Sequence, residues 1–117
     1  MKKILIVEDQ CEEFRIMKWV IEKSIVEIIW ARSLKEGWRL FSENIDVSVV
    51  IMDASLGDNH DTPDSMSLVR EIVNSGYKNP IIAASSNAHY NVLLMEAGAT
   101  HNGENKIGAA LLARKLL

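Results

Sequence analysis

The sequence has 117 residues, of which 48% are hydrophobic and 25% are charged, so it fits one compact domain over residues 1–117. The formal net charge of −3, from 16 acidic and 13 basic residues, argues against a nucleic-acid partner. No apolar stretch is long enough to span a membrane, and the single cysteine, Cys11, excludes an internal disulfide. We therefore predict a cytoplasmic protein that binds neither nucleic acid nor membranes.

The chain begins with a short apolar run, Ile4–Val7, followed by two acidic residues. Such a run is typical of a strand buried in a parallel sheet. Glu8 and Asp9 then lie at the carboxyl end of this strand, the edge where open α/β sheets bind ligands. Alone, the pair could instead occupy the first turn of a helix, where the helix dipole favours acids.

A helix is predicted next, because apolar residues between Cys11 and Lys23 follow a helical period. Ile16, Trp19 and Val20 widen its apolar face, which predicts a helix more buried, or more partnered, than a surface helix.

The remaining elements also alternate between strand and helix. They are a strand at Ile25–Trp30, a helix at Leu34–Phe41 with Ser33 as N-cap, a strand at Ile45–Asp53, a helix at Ser65–Asn74, a strand at Pro80–Ala84, a helix at His89–Glu96, a poor edge strand at Thr100–Glu104 and a helix at Ile107–Leu117. This order predicts a doubly wound α/β domain, a five-stranded parallel sheet with helices on both faces.

The predicted strand Ile45–Asp53, which is rich in Val and Ile, ends on a carboxylate. Parallel strands place their carboxyl ends at one edge, so Asp53 is expected beside Glu8 and Asp9 in one crevice. An acid at this edge is a reactive group, a metal ligand or a helix cap.

Four segments resemble the receiver domain of two-component response regulators. They are Ile4–Asp9, Val49–Asp53, Pro80–Ser85 and Ala97–Ala99, in the family's order and at nearly its spacings. The resemblance covers essentially the whole chain and implies a flavodoxin-like, CheY-like fold.

The resemblance also implies a function. Asp53 would accept a phosphoryl group from a partner histidine kinase or phosphotransfer protein. Glu8, Asp9, Asp53 and the backbone carbonyl of Ser55 would hold Mg²⁺, and the hydroxyl of Ser85 would move onto the phosphoryl group. The chain would be a phosphoprotein of a phosphorelay and not an enzyme, and it would switch a downstream output protein or domain; a homodimer is compatible with this role.

The chemistry explains why these residue types belong together. A carboxylate that attacks a phosphoryl group meets charge repulsion, which neighbouring acids increase unless a hard divalent cation neutralises them. Mg²⁺ suits such an all-oxygen site. The protein then supplies in-line positioning and charge stabilisation.

The lysine that completes the family's site is displaced in this sequence. Counted from Gly98, Asn105 stands at its place, Lys106 follows, and Ile107 replaces a usual proline. We predict that Lys106 reaches the site through a one-residue shift in a loose loop. If Asn105 holds the place, phosphoryl chemistry or its coupling to shape change would be impaired.

Two further departures concern partners and switching. The segment Gly57–Asp64 makes the loop after Asp53 longer than is usual, which predicts altered partner access or dephosphorylation. Asn102 falls near the place of an aromatic residue that typically rotates inward on activation, so the switching mechanism is expected to differ.

Several residues also have simpler interpretations. Ser85 alone is more often an N-cap. Three acids of the long loop, Asp58, Asp61 and Asp64, lack the EF-hand pattern and are predicted to be solvated, with a second cation site as the alternative. The thiol of Cys11 is expected to be inert, although a helix start lowers a thiol's pKa. The three histidines show no metal-ligand spacing and are expected at the surface or in loops: His60, His89 and His101. The three tryptophans are expected in the core or on a surface that faces a partner: Trp19, Trp30 and Trp38.

Three functional hypotheses follow. The first is the phosphoacceptor receiver. The second is a degenerate receiver that binds proteins without phosphorylation, which Asn105 and the polar last strand favour. The third is a phosphatase with an aspartate nucleophile, although such enzymes usually have a second Asp where this chain has Ser55.

Overall fold

The computed structural model describes residues 1–56 and 63–117, in which strands and helices alternate. The strands are β1 (Lys2–Val7), β2 (Val26–Ala31), β3 (Val49–Met52), β4 (Ile81–Ala83) and β5 (His101–Asn102). The helices are α1 (Cys11–Ile21), α2 (Leu34–Glu43), α3 (Met66–Asn74), α4 (Ala88–Ala97) and α5 (Lys106–Leu116).

The strands form one parallel sheet in the order β2-β1-β3-β4-β5. The predicted doubly wound architecture is confirmed. The chain leaves β1 toward β2 and later returns to the other side of β1 as β3, so the strand order reverses between β1 and β3. In open α/β sheets a ligand crevice lies at this point, outside the carboxyl ends of the strands.

Two hydrophobic cores cover the two faces of the sheet, because successive strand residues point to opposite faces. Leu5, Val7, Val50 and Met52 face α2, α3 and α4, whose buried residues include Phe41, Leu68, Val69, Ile72 and Leu94. Ile4, Ile6, Val49 and Ile51 face α1 and α5, whose buried residues include Phe14, Met17, Val20, Ile21, Ala109, Ala110 and Ala113. Burial on both faces explains why the central strands are continuously apolar.

Of the two alternatives predicted for the wide apolar face of α1, greater burial is wrong for Ile16 and Trp19, and a contact with a partner stays a prediction. Val20 is buried, but Ile16 is 42% exposed and Trp19 is 67% exposed. The helix also ends at Ile21, before the predicted Lys23. The residues of α1 that pack in the core are Phe14, Met17, Val20 and Ile21, and Ile16 and Trp19 lie outside this set.

The strand predicted at Ile45–Asp53 begins later, at Val49. The preceding residues form a turn after α2, in which the amide of Val47 donates to the carbonyl of Asn44 over 3.1 Å. Val47 is nevertheless fully buried. Val47 is therefore apolar because it is buried, although it is not part of the strand. This is why the sequence pattern predicted too early a start for the strand.

The last strand, predicted over Thr100–Glu104, is present at the edge of the sheet but is shorter than predicted. Only His101 and Asn102 pair with β4. The Asn102 side chain is turned toward the next loop, where its Oδ1 accepts the amide of Glu104 over 2.8 Å. Of the long loop Gly57–Asp64, residues 57–62 lie outside the described residues, and the predictions for Asp58, His60 and Asp61 lie there too.

None of the helices in the described parts of the chain has the length and apolar character that a membrane crossing requires.

Candidate functional site at the carboxyl ends of β1 and β3

Three carboxylates meet where β1 and β3 end. The two strands pair from Ile4 with Val49 to Val7 with Met52, and the amide of Asp53 donates to the carbonyl of Val7 over 2.9 Å. Glu8 and Asp53 therefore leave the sheet side by side. One carboxylate oxygen from each of Glu8, Asp9 and Asp53 lies within 4.8 Å of the other two.

Glu8 is fully buried in this crevice, whereas Asp9 is partly exposed. Glu8 Oε2 accepts the amide of Gln10 over 3.1 Å, and the Glu8 carbonyl accepts the indole Nε1 of Trp30 over 2.8 Å. Gln10 is the N-cap of α1. The acidic pair therefore precedes the helix, and the alternative that it forms the helix's first turn is wrong.

The side chain of Lys106, at the start of α5, contacts two of these carboxylates. Its Nζ lies 2.5 Å from Asp53 Oδ1 and 2.8 Å from Glu8 Oε1. The expected one-residue shift is thus present, but Lys106 is the first residue of α5 and does not lie in a loose loop. Asn105 is its N-cap, with Oδ1 accepting the amide of Gly108 over 2.7 Å.

Gly103 lets the start of α5 come this close to the sheet. A Cβ at Gly103 would lie 2.7 Å from Ala109 Cα and 2.9 Å from its amide nitrogen, both of which are backbone atoms. Such contacts are too short for any side chain, so only glycine permits this approach. This close approach places the ammonium group of Lys106 within ion-pair distance of the carboxylates of Glu8 and Asp53.

The charges of the crevice do not balance within the protein. One lysine against three carboxylates leaves a formal charge of −2. Burial raises the pKa of Glu8 to about 7, with the charge of Asp53 adding to the rise and Lys106 opposing it. Burial alone would lower the pKa of Lys106, but the charges of Asp53 and Glu8 outweigh it and the pKa is raised. The lysine therefore stays charged at neutral pH.

The donor set fits a hard divalent cation. Glu8 Oε1 is buried, and the Lys106 ammonium lies 2.8 Å from it. The same ammonium is shared with Asp53, so one positive charge serves two buried carboxylates, and buried charges are costly unless they are fully compensated. Oxygens around one Mg²⁺ are about 3 to 4 Å apart, so small side-chain shifts would bring the three carboxylates onto one ion. A charge of +2 would also neutralise the crevice.

The loop after Asp53 is held by Asp64 and Ser65. Asp64 is half-buried and hydrogen-bonded, so the prediction that it is solvated is wrong in part, and Ser65 was not predicted to have a role. Asp64 Oδ1 accepts the amide of Leu56 over 2.9 Å, and the buried hydroxyl of Ser65 donates to the carbonyl of Ala54 over 2.8 Å. The feature of the sequence that could have indicated this role is their position just before α3. The predicted role of the Ser55 carbonyl as a metal ligand stays a prediction.

Ser85 follows β4 at the same edge, because Ala83 of β4 pairs with Met52. Its Oγ accepts the amide of Asn87 over 3.0 Å. Asn87 is the N-cap of α4, with Oδ1 accepting the amide of Tyr90 over 3.2 Å. The N-cap interpretation of Ser85 is therefore wrong, and its predicted role toward a phosphoryl group stays a prediction.

The described histidines, cysteine and tryptophans are not part of the carboxylate cluster. Within the described parts of the chain, the group formed by Glu8, Asp9 and Asp53 is the one cluster of potential metal ligands, and it contains no histidine. His89 is exposed, and the Nδ1 of His101 lies 2.8 Å from Thr100 Oγ1. Among the remaining residues, Cys11 is a partly exposed free thiol, Trp30 is partly buried, and Trp19 and Trp38 are exposed.

Comparison by sequence finds no matching family model and no matching curated protein. Comparison of structures finds many similar chains. A response regulator receiver domain protein from Clostridium thermocellum is 25% identical, with a TM-score of 0.68 over 99% of this chain and 98% of its own. The BeF3-activated receiver domain of Klebsiella pneumoniae RstA is 23% identical, with a TM-score of 0.76 over 97% and 95%.

A third similar structure is the Mn²⁺-bound form of the response regulator Rcp1, which is 18% identical, with a TM-score of 0.65 over 87% of this chain and 79% of its own. These likenesses show that the chain has the fold of response regulator receiver domains.

Proposed function

We propose that this chain is a receiver domain that accepts a phosphoryl group on Asp53. The observation that supports the proposal is the convergence of Glu8, Asp9 and Lys106 on the Asp53 carboxylate. The donor would be a phosphohistidine of a histidine kinase or phosphotransfer protein in the cytoplasm. The phosphorylated domain would then act on an output protein or domain, by a shift between two conformational populations.

In this reaction an Asp53 oxygen attacks phosphorus as the phosphorus–nitrogen bond of the donor breaks, and the imidazole leaves with the bonding electron pair. The amide of Ala54 and the Nζ of Lys106 both bind Asp53 Oδ1. These two bonds fix the orientation of the carboxylate. The other oxygen, Oδ2, accepts no hydrogen bond from the described residues and would be the atom that attacks phosphorus. Lys106 also places a positive charge where the phosphoryl oxygens arrive.

Glu8, Asp9 and Asp53 would hold Mg²⁺, with the carbonyl of Ser55 as a further ligand. When bound, the ion neutralises the phosphoryl oxygens and so permits an anionic nucleophile to approach them. The Mn²⁺-bound form of Rcp1 supports a divalent cation in this fold. Protein side chains otherwise supply orientation and fixed charge, and we infer a phosphoacceptor, not an enzyme that turns over an external substrate.

A second candidate is a degenerate receiver that binds partners without phosphorylation. The polar β5 favours it, because Asn102 is exposed and bonded to its own loop, where an inward-turning aromatic would couple the site to the surface. The position of Lys106 against Asp53 argues for retained chemistry.

Acetyl phosphate with Mg²⁺, followed by intact-mass spectrometry, separates the candidates. The phosphoacceptor gains the mass of one phosphoryl group, and Asp53→Asn abolishes the gain. Asp46→Asn, which changes an exposed carboxylate, is the matched control and retains it. An unmodified wild type supports the degenerate receiver, and continuous release of phosphate without an adduct supports an aspartate-based phosphatase.

A further inference from the structure

A buried asparagine on α4 holds the residue predicted to follow the phosphoryl group. Asn91 is 1% exposed and lies on the inner side of the helix. Its Oδ1 accepts the amide of Ser85 over 3.0 Å, and its Nδ2 donates to the carbonyl of Ser85 over 2.7 Å. Both ends of one side-chain amide are thus bonded to the main chain of a single residue.

The two bonds are the ones that a buried asparagine requires. A side-chain amide removed from water is costly unless donor and acceptor are both used. An apolar residue would suit this helix position as well by packing alone, since the next inward-facing residue is the fully buried Leu94. Packing therefore does not explain the amide, whereas a fixed position for Ser85 does.

A third bond ties Ser85 to the same helix. Its hydroxyl oxygen accepts the amide of Asn87, the N-cap residue of α4. The main chain of Ser85 is bonded to the second turn of α4, and its side chain is bonded to the start of the helix. Ser85 and the first half of α4 therefore form one hydrogen-bonded unit.

We infer that Asn91 is a positioning residue, which transmits any displacement of Ser85 toward a group on Asp53 to the N-terminal half of α4. The inference rests on the proposed function. A Ser85 hydroxyl that turns toward a phosphoryl oxygen must release the Asn87 amide, while Asn91 keeps the Ser85 main chain attached to the helix. β5 offers the exposed Asn102 and no aromatic residue at this edge, whereas Ser85 is bonded to α4 and its N-cap.

The experiment measures amide hydrogen exchange by mass spectrometry with and without acetyl phosphate and Mg²⁺. The variants are Asn91→Ala and Asn91→Leu, which keeps approximately the side-chain size if the alanine variant folds poorly. Asn79→Ala is the matched control, because the Asn79 side chain also donates to a backbone carbonyl, that of Val47, near the opposite end of the sheet. The adduct on Asp53 is measured by mass in the same samples.

In wild type and Asn79→Ala, phosphorylation should change the exchange of the amides of Tyr90 and Asn91, which lie in α4 and are bonded to Asn87. The Asn91 variants should still form the adduct, but exchange in α4 should no longer respond to it. A response equal to that of wild type would overturn the inference. A merely structural asparagine would alter basal exchange in α4 and leave the phosphorylation response in place.

The experiment distinguishes failure of the proposed phosphoacceptor function from failure of the positioning role of Asn91. If wild type forms no adduct, the proposed phosphoacceptor function is wrong. The positioning role is then judged without phosphodonor, from the amide of Ser85, whose exchange should rise by at least roughly tenfold in Asn91→Leu and stay unchanged in Asn79→Ala. Unchanged exchange at Ser85 would contradict it.

Discussion

The indole of Trp30 donates a hydrogen bond of 2.8 Å to the carbonyl of Glu8, so a residue of β2 fixes the turn that presents the acidic pair. Its ring is stacked on Phe14 of α1, with centroids 4.1 Å apart and planes 3° from parallel. The guanidinium of Arg32 lies 4.6 Å from the ring centroid. Trp30 is thereby rigid and adjacent to the crevice.

Trp30→Phe should weaken Mg²⁺ binding while it keeps the stacking with Phe14. Groups that orient metal ligands typically affect affinity by 10- to 100-fold, and we expect roughly tenfold here. Isothermal titration calorimetry measures the effect. Intrinsic fluorescence should respond to Mg²⁺ in wild type and in the control Trp19→Phe, whose indole is exposed, and lose most of that response in Trp30→Phe. An unchanged affinity in Trp30→Phe would show that this bond does not orient Glu8.

Glu8 should make the metal-free protein less stable as the pH rises. Its pKa is about 7 in the folded protein against an ordinary value of 4.5, mainly because it is buried. Between these pH values the folded state keeps a proton that the unfolded state has released, so stability falls as pH rises and levels off above about 7. The loss attributable to Glu8 should be roughly 3 kcal/mol.

Urea unfolding from pH 4.5 to pH 8 tests this, with the difference between wild type and Glu8→Gln as the readout. Glu12→Gln, an exposed change in the first turn of α1, is the control and should keep the wild-type dependence. Mg²⁺ should oppose the decline, because its ligands bind as carboxylates. Parallel curves for wild type and Glu8→Gln would exclude this linkage.

Lys106→Met should have opposite effects on metal affinity and on phosphoryl transfer. It removes the ammonium from a crevice of net charge −2, so Mg²⁺ should bind several-fold more tightly while adduct formation slows by at least roughly tenfold. Without metal, the unpaired buried carboxylates should cost roughly 3 kcal/mol of stability at pH 8.

Lys18→Met is the matched control, because Lys18 pairs with Glu22 on the exposed face of α1. An exposed pair of this kind contributes less than about 1 kcal/mol. Calorimetry, adduct kinetics and urea unfolding on both variants separate the site from general charge effects. Equal metal affinity in Lys106→Met and wild type would contradict the assigned role of the ammonium.

Asn105 should behave as a helix cap and not as a site residue. Asn105→Lys places a lysine in the family's expected register, yet it removes the cap that accepts the Gly108 amide. We expect it to cost about 1 kcal/mol of stability and to leave adduct formation no faster. Asn105→Asp, which keeps a capping oxygen, should retain wild-type stability by thermal unfolding. Faster adduct formation in Asn105→Lys would show that a lysine acts from position 105 and would contradict the assignment of Lys106.

The crevice was predictable because it depends on topology alone. Acids that follow two parallel strands must share an edge, whatever packs around them, and Glu8, Asp9 and Asp53 do so. Counting residues from Gly98 placed Asn105 at the lysine position, and Lys106 was predicted only through a one-residue shift. The cap formed by Asn105, which accompanies that shift, appears only in three dimensions.

The contacts of Trp30 and Asn91 could not be predicted from the sequence. Each side chain binds the backbone of a residue brought near by the fold, and backbone groups give no signal in sequence patterns. A lone polar residue on the inner face of α4 was the one clue to Asn91. The exposure of Ile16 and Trp19 was likewise unpredictable, because the sequence of α1 does not show which of its apolar residues pack in the core.

We infer that the carboxylates of Glu8, Asp9 and Asp53 bind one divalent cation together. Calorimetric titration of Mg²⁺ into wild type, Asp9→Asn, Asp53→Asn and the control Asp46→Asn tests it most directly. We predict one site per chain in wild type and in Asp46→Asn, and at least roughly tenfold weaker binding in the other two variants. No saturable binding in wild type, or equal affinity in all four proteins, would contradict the account.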